Sequence, residues 1–497
     1  MKITSLIIFL ICSCLSFFEA DAQNERPLNI LLFTADDLDK FSLGCYGSEV
    51  VNISPNIDKL ASEGLRFNHA YVNNSICAPS RGIITTGLYG HNSGIKGFMK
   101  MPENKEHPLL MEVLREHGYQ VGVMSKVDHS TPKTTFTWDF MRKRSELGDG
   151  RNPERYYENA KIFFEESKKE GKPFYFMVNS DDPHRPFFNP EKGLQKGMAK
   201  PSRTYTPDEV VVPGFLPDIP GVRRELSYYY NSVKRLDDTF GKVMQALDES
   251  GQKENTLVIF ISDNGVALPF AKCDNFYASN RTPWIIRWPE MVKKGTVNDT
   301  HLISLIDFFP TILEAIGIDT RVSLDGISHL PLYKNENHKK DAFVYTQIDN
   351  KADGKEAPRR STASPMRGVQ NRDFVYIFNA WSYTDAVYHN NNEGLTMQAM
   401  LKASKTNKKI SARVNLFRKR PHEEFYNLRK DPNCLKNIID DVRYAEELQI
   451  MKEELKKWMV EKRDPLYSVY RNRDNSDIVK EKLYELYPDL ERVDKLK

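Results

Sequence analysis

Asp36-Asp37 and Asp263-Asn264 bring carboxylate and amide oxygens together at two places in this 497-residue chain, and such oxygens suit hard cations like Ca2+ and Mg2+. Asp-Asp and Asp-Asn-Gly are also common turn sequences, so residue type alone leaves both readings open. Cys77-Ala78-Pro79-Ser80-Arg81-Gly82 runs through Ile83-Ile84 into Thr85-Thr86-Gly87. Taken by itself, Cys77 reads as a small buried hydrophobe. Lys126, His129, His184 and Lys272 are able to bind an anion or move a proton, although each alone reads equally as solvated or structural.

Side chains so far apart in sequence need a scaffold that gathers them. Leu28 to Thr34 is a continuous apolar run between Pro27 and Asp36, the pattern of a strand buried on both faces. Tyr119 to Met124, Phe174 to Val178 and Thr256 to Ser262 read the same way. Between them, Leu226, Tyr229, Val233, Leu236, Phe240, Val243 and Leu247 recur at three- and four-residue steps, marking an amphipathic helix. Strands alternating with helices predict a doubly wound, mainly parallel α/β sheet. Ligands in that architecture collect at the carboxyl ends of strands, where both acidic pairs fall. Beyond residue 340 the texture changes: Phe343 to Thr346 and Phe374 to Phe378 read as short strands and Ala445 to Val460 as an amphipathic helix. The expected division is a signal peptide over 1–22, a catalytic domain over 23–340 and a smaller α+β domain over 341–497.

A formal charge of +3 on so long a chain gives no basis for nucleic-acid binding. Lys2, an apolar run from Leu6 to Phe18 and Ala20-Asp21-Ala22 form an export signal. The run falls short of the roughly 20 apolar residues a membrane span needs. Lipidation at Cys12 or Cys14 is the alternative. Export would place the protein in a bacterial periplasm or outside the cell, or in a eukaryotic lysosome or secretion. Cys45, Cys77, Cys273 and Cys434 remain after cleavage, too few for a disulfide scaffold.

The ordered motifs resemble the sulfatase family, of alkaline-phosphatase-like fold. Cys77-Ala78-Pro79-Ser80-Arg81 with Thr86-Gly87 matches its Cys-x-Pro-Ser-Arg signature. Asn29 to Asp37 resembles its opening strand and metal pair, and Ser54 to Ala61 its first helix. Pro183-His184-Arg185-Pro186-Phe187, Ser262 to Gly265, Asp307 to Ile312 and Glu424 to Leu428 with Asp431-Pro432 continue the series. The resemblance implies that Cys77 is oxidised to formylglycine by a maturation enzyme, its hydrated aldehyde providing one hydroxyl to attack sulfur and another to expel sulfate. It implies a divalent cation, Ca2+ in preference to Mg2+, on Asp36, Asp37, Asp263, Asn264 and the modified Cys77. Arg81 would orient the nucleophile, Lys126 and Lys272 bind sulfate, His184 protonate the leaving group and His129 serve as base for elimination.

Two departures stand out. Many members read Lys-x-His, whereas Lys126-Val127-Asp128-His129 carries one extra residue. Ala278-Ser279-Asn280 replaces the Glu-Gly-Gly often found after the tyrosine that follows the lysine. Within the family, Pro283 to Pro289, Met366 to Gln370, Trp458-Met459 and Asp464-Pro465 resemble the sulfamidase branch, which removes N-sulfate from glucosamine in heparin and heparan sulfate. An O-sulfatase on another carbohydrate, a phosphoric or phosphonic ester hydrolase and a silent glycan-binding protein are the alternatives. The basic stretch Lys402, Lys405, Lys408, Lys409, Arg413, Arg418, Lys419 and Arg420 reads either as a surface for an acidic glycan or as a solvated face.

Overall fold

The computed structural model describes residues 27–103, 106–194, 196–319, 322–336, 342–349, 363–388 and 394–495; the expected signal peptide lies outside them. One sheet has eight strands in the spatial order Phe140–Arg142, Gln120–Met124, Phe174–Pro183, Asn29–Asp36, Thr256–Ser262, Trp284–Arg287, Leu65–Phe67 and Thr296–Asn298. Trp284–Arg287 alone runs against the others. The expected mainly parallel α/β architecture is therefore present. Its two middle strands, Asn29–Asp36 and Thr256–Ser262, are buried at every position, which accounts for their unbroken apolar reading. Leu32 lies between Met177 and Ile259 in register.

Helix Pro220–Glu249 covers one face of this sheet. Proline at its first turn gives up no needed hydrogen bond. All seven residues of its apolar stripe are buried, and Phe240 meets Phe33 edge to face at 5.2 Å. Phe140–Arg142, Leu65–Phe67, Trp284–Arg287 and Thr296–Asn298 escaped the sequence reading because three or four residues carry no measurable periodicity.

A second, antiparallel sheet takes Val344–Ile348, Met366–Gln370, Phe374–Asn379 and Glu423–Asn427 in that order. Helix Ala445–Glu461 buries Met451, Leu455, Trp458 and Met459. The basic stretch is divided by this packing. Arg413 lies 3.6 Å from the centre of the Phe270 ring and donates to the Cys434 carbonyl, while buried Arg420 binds Asp274 and Glu424. Those two arginines serve the fold, leaving Lys402, Lys405, Lys408, Lys409 and Lys419 exposed. Cys45, Cys77, Cys273 and Cys434 are all free, and among the described residues no helix is long and apolar enough to cross a membrane.

Candidate active site

Four neighbouring strands deliver their carboxyl ends to one place. Asp36 and Asp37 close the first strand, Asp263 and Asn264 follow Thr256–Ser262, and Ser125 and Lys126 follow Gln120–Met124. Asp181 and Asp182 lie near the end of Phe174–Pro183, with His184 next to it. Cys77 begins helix Cys77–Thr86, all ten residues of which are buried. The free N–H groups of that first turn favour negative charge. Asp37, Ser125, Lys126 and Cys273 all take left-handed backbone conformations, with φ between 49° and 69°. Such residues are disfavoured by about 1–3 kcal/mol each, and active sites are where they gather. Gly265 is required by space: a Cβ there would fall 2.2 Å from the Ala278 carbonyl oxygen.

Arg81 is wholly buried and spans the cluster. It contacts Asp263 at 2.8 Å, donates to Thr34 Oγ1 at 2.7 Å and also binds Asn179. Thr34 donates in turn to Asn179 at 2.6 Å, and the Asn179 amide is anchored on the Met124 and Ser125 carbonyls. Lys126 contacts Asp36 and stands 3.3 Å from Asp181. Lys272 binds Asp37, and Asn264 Nδ2 donates to Asp37 Oδ1 at 2.7 Å. The Lys272 segment is gripped from the second sheet's side, with Arg420 on Asp274 at 2.8 Å and Tyr388 donating to the Cys273 carbonyl.

The donor set fits a hard cation. Asp36 Oδ1, Asp37 Oδ2, Asp263 Oδ2 and Asn264 Oδ1 are buried without a hydrogen-bond partner, although Arg81 and His184 stand within ion-pair range of Asp263 and Asp37. Buried oxygens normally find donors, so the unpaired oxygens of Asp36, Asp37 and Asn264 mark a place for a ligand. Ligating atoms of Asp36, Asp37 and His184 lie within 4.8 Å of one another.

The electrostatics follow from burial and crowding. Burial alone would raise the Asp36 carboxyl, but Lys126, His184, Arg81 and Lys272 outweigh it and hold it well below the carboxylate range. Asp263 goes the other way: burial and the charge of Asp36 push it well above that range despite Arg81. Burial raises the Cys77 thiol, against the pull of Lys272. His129 is pushed down to about 4 by burial and then by Lys126 and Arg81. Burial also lowers His184, against Asp37 and Asp36. His184 Nδ1 faces the Arg185 carbonyl, which leaves Nε2 turned to Asp37 at 3.8 Å.

The structure thus brings Asp36, Asp37, Arg81, Lys126, His184, Asp263, Asn264 and Lys272 into one bonded cluster. Cys77 and His129 are electrostatic neighbours of it. The extra residue before His129 is taken up by one helical turn, Val127–Ser130. Asp128 turns out toward Lys100 at 3.8 Å while His129 Nδ1 is buried. Thr34, Ser125, Asn179 and Asp181 belong to the site too and were not singled out from sequence. Asp181-Asp182, an acidic pair at a strand end like Asp36-Asp37, was the available signal.

A family model described as Sulfatase matches residues 28–318, more than half of the chain. The chain belongs to the sulfatase family. As a sulfatase it is a hydrolase of sulfate esters or sulfamides. A second model, N-sulphoglucosamine sulphohydrolase, C-terminal, matches residues 270–408. Human N-sulphoglucosamine sulphohydrolase is 30% identical over 88% of this sulfatase and 91% of its own length. An ulvan-active sulfatase of Formosa agariphila is 27% identical, over 88% and 75%. Among solved structures, one described as a complex with its substrate D-glucosamine-2-N,6-O-disulfate has a TM-score of 0.65 at 18% identity, covering 88% of this chain and 98% of that one. Phosphonate monoester hydrolase of Agrobacterium radiobacter has a TM-score of 0.62 at 18% identity, covering 88% and 96%. Likenesses at that identity establish the shared fold.

Proposed function

We propose that this sulfatase acts on a sulfated glycan and removes the N-sulfate of glucosamine in heparin or heparan sulfate fragments. The observation that carries the reading is the likeness to human N-sulphoglucosamine sulphohydrolase over nearly the full length of both chains, joined to the C-terminal match of the same description. The net reaction converts R–NH–SO3⁻ and water to R–NH3⁺ and sulfate dianion. A divalent cation on Asp36, Asp37, Asp263 and Asn264 would acidify a hydroxyl on the matured Cys77 and draw charge from a sulfate oxygen. Ca2+ is the proposed ion, since a cage of protein oxygens suits it better than Mg2+, which keeps several waters.

The chain's own groups supply the rest. Arg81, fixed by Thr34 and Asn179, holds its charge at the base of the nucleophile's helix. Lys126 and Lys272 each sit on one metal-site aspartate, and each has an ammonium able to bind a sulfate oxygen as well. His184 is the proposed acid: to give a proton from Nε2 to the leaving nitrogen, the ring must be imidazolium, a state that burial opposes and that Asp37 and Asp36 favour without fully offsetting burial. His129, held neutral, is the base for releasing sulfate.

An O-sulfatase is the second reading, favoured by the ulvan-active relative and by human iduronate 2-sulfatase at 28% identity. Heparin disaccharides carrying a single N-, 2-O- or 6-O-sulfate, incubated with matured enzyme, separate the two. Sulfate released from the N-sulfated compound alone is the expected result; release from only an O-sulfated one would overturn the N-sulfatase assignment.

A further inference from the structure

A cavity of about 630 Å³ opens beside the catalytic cluster, a size at which small ligands are held. Lys126, His129 and Asp181 form its inner wall, so whatever fills it lies next to Lys126, one of the two lysines proposed to bind sulfate. Phe136 and Trp138 line it as well, packed edge to face at 5.3 Å, and offer aromatic surface of the kind that supports a ring. Lys133, Lys143 and Arg144 form its outer part.

The charges there do not balance. Asp181 is engaged by Lys126, Ser125 and Arg144, and Asp128 by Lys100. Arg144 is also paired with Asp149 at 2.7 Å. Lys133 and Lys143 are exposed; Glu103 and Glu146 accept from their backbone N–H groups at 3.0 and 2.7 Å, but among the described residues neither ammonium group has an ion-pair partner. Two ammonium groups without ion-pair partners, at the rim of a cavity whose inner wall carries a proposed sulfate-binding lysine, match a ligand bearing a second anionic oxygen group.

We propose that this cavity receives the sugar that carries the scissile group, and that Lys133 and Lys143 select substrates with a second carboxylate or sulfate. The assignment rests on the proposed action on sulfated glycans. It differs from the reading of the Lys402 to Arg420 stretch as a glycan surface, because these lysines share a cavity with catalytic groups.

The test compares wild type with the Lys133→Glu/Lys143→Glu double variant on three probes: N-sulfoglucosamine, the same sugar with a 6-O-sulfate, and the same sugar linked to a hexuronate. Wild type is expected to favour one or both doubly anionic probes by about 5- to 10-fold in kcat/KM, the scale of two exposed ionic contacts. The variant loses that preference through KM, with kcat retained, and Lys133→Gln/Lys143→Gln falls between. The probe whose advantage disappears identifies sulfate or carboxylate as the selected group. An unchanged preference in the double variant overturns the assignment. If wild type releases sulfate from none of the probes, the proposed function fails instead; calorimetric binding of the same probes then decides the cavity by itself, and equal affinities for wild type and variant reject it.

Discussion

Arg81 and Arg367 are both fully buried arginines facing carboxylates, and their surroundings differ in one respect that matters. Around Arg367 the accounts nearly close: Asp464 accepts its guanidinium and the Leu466 amide, Asp349 Oδ1 accepts at 3.1 Å, and Asp349 Oδ2 alone among these carboxylate oxygens lacks a donor. Arg420 is held likewise, with both oxygens of Asp274 and Glu424 accepting hydrogen bonds. Around Arg81, oxygens of Asp36, Asp37 and Asn264 are left without donors, on a backbone bent into left-handed conformations at Asp37 and Lys126. A completed buried network rigidifies a fold, whereas an incomplete one is destabilising unless a ligand finishes it. The contrast separates a cluster that holds structure together from one shaped for an ion and a substrate.

The sharpest break in this comparison is chemical. Cys77→Ala should show no measurable sulfate release, with a melting temperature within a few degrees of wild type, since it removes a nucleophile and no ion pair. Full activity in that variant would remove Cys77 from the mechanism.

Next in size are the stabilities. Arg367→Met strands Asp464 and Asp349 and should lower the unfolding free energy by about 3–5 kcal/mol in urea titration. Asp263→Asn, measured in chelator, should melt at or above wild type, because it relieves a carboxyl penalised by burial and then by the charge of Asp36, more than Arg81 offsets. Equal losses in the two variants would erase the distinction between the clusters. Chelation should lower the melting point of wild type, since an ion at 100 times its dissociation constant contributes about 2.7 kcal/mol. In Asp263→Ala that response should shrink, and an undiminished one would take Asp263 out of the ion site.

The smallest effect concerns acid. Burial would raise the Asp464 carboxyl, and Arg367 more than reverses it, so the folded value lies below the unfolded one. The stabilisation from this pair is complete above the unfolded value of about 3.9 and is lost as pH falls through the lower folded value. The stability gap between wild type and Arg367→Met should therefore narrow below about pH 4. A constant gap down to pH 2 would show that Asp464 does not titrate with the pair.

Much of the site was legible because its parts are local. Asp36-Asp37 and Asp263-Asn264 end long apolar strands, and Cys77 to Arg81 is one contiguous run. The supports were not legible. Thr34 and Asn179 read as ordinary strand residues, and their bond joins positions 145 apart in the chain, which only sheet order brings together. The resemblance to the sulfamidase branch shows the same limit. Arg367 and Asp464, from two of its motifs, meet as a buried pair, and Trp458 from a third stacks on Tyr345. Those residues mark kinship through packing, so they carried no information about which sulfate is removed.

The central claim concerns the chemical state of residue 77. Mass analysis of the tryptic peptide Phe67–Arg81, taken from protein that is releasing sulfate, tests it directly. Conversion to formylglycine lowers that peptide by about 18 Da. Active protein whose peptide carries only the unmodified thiol would contradict the account.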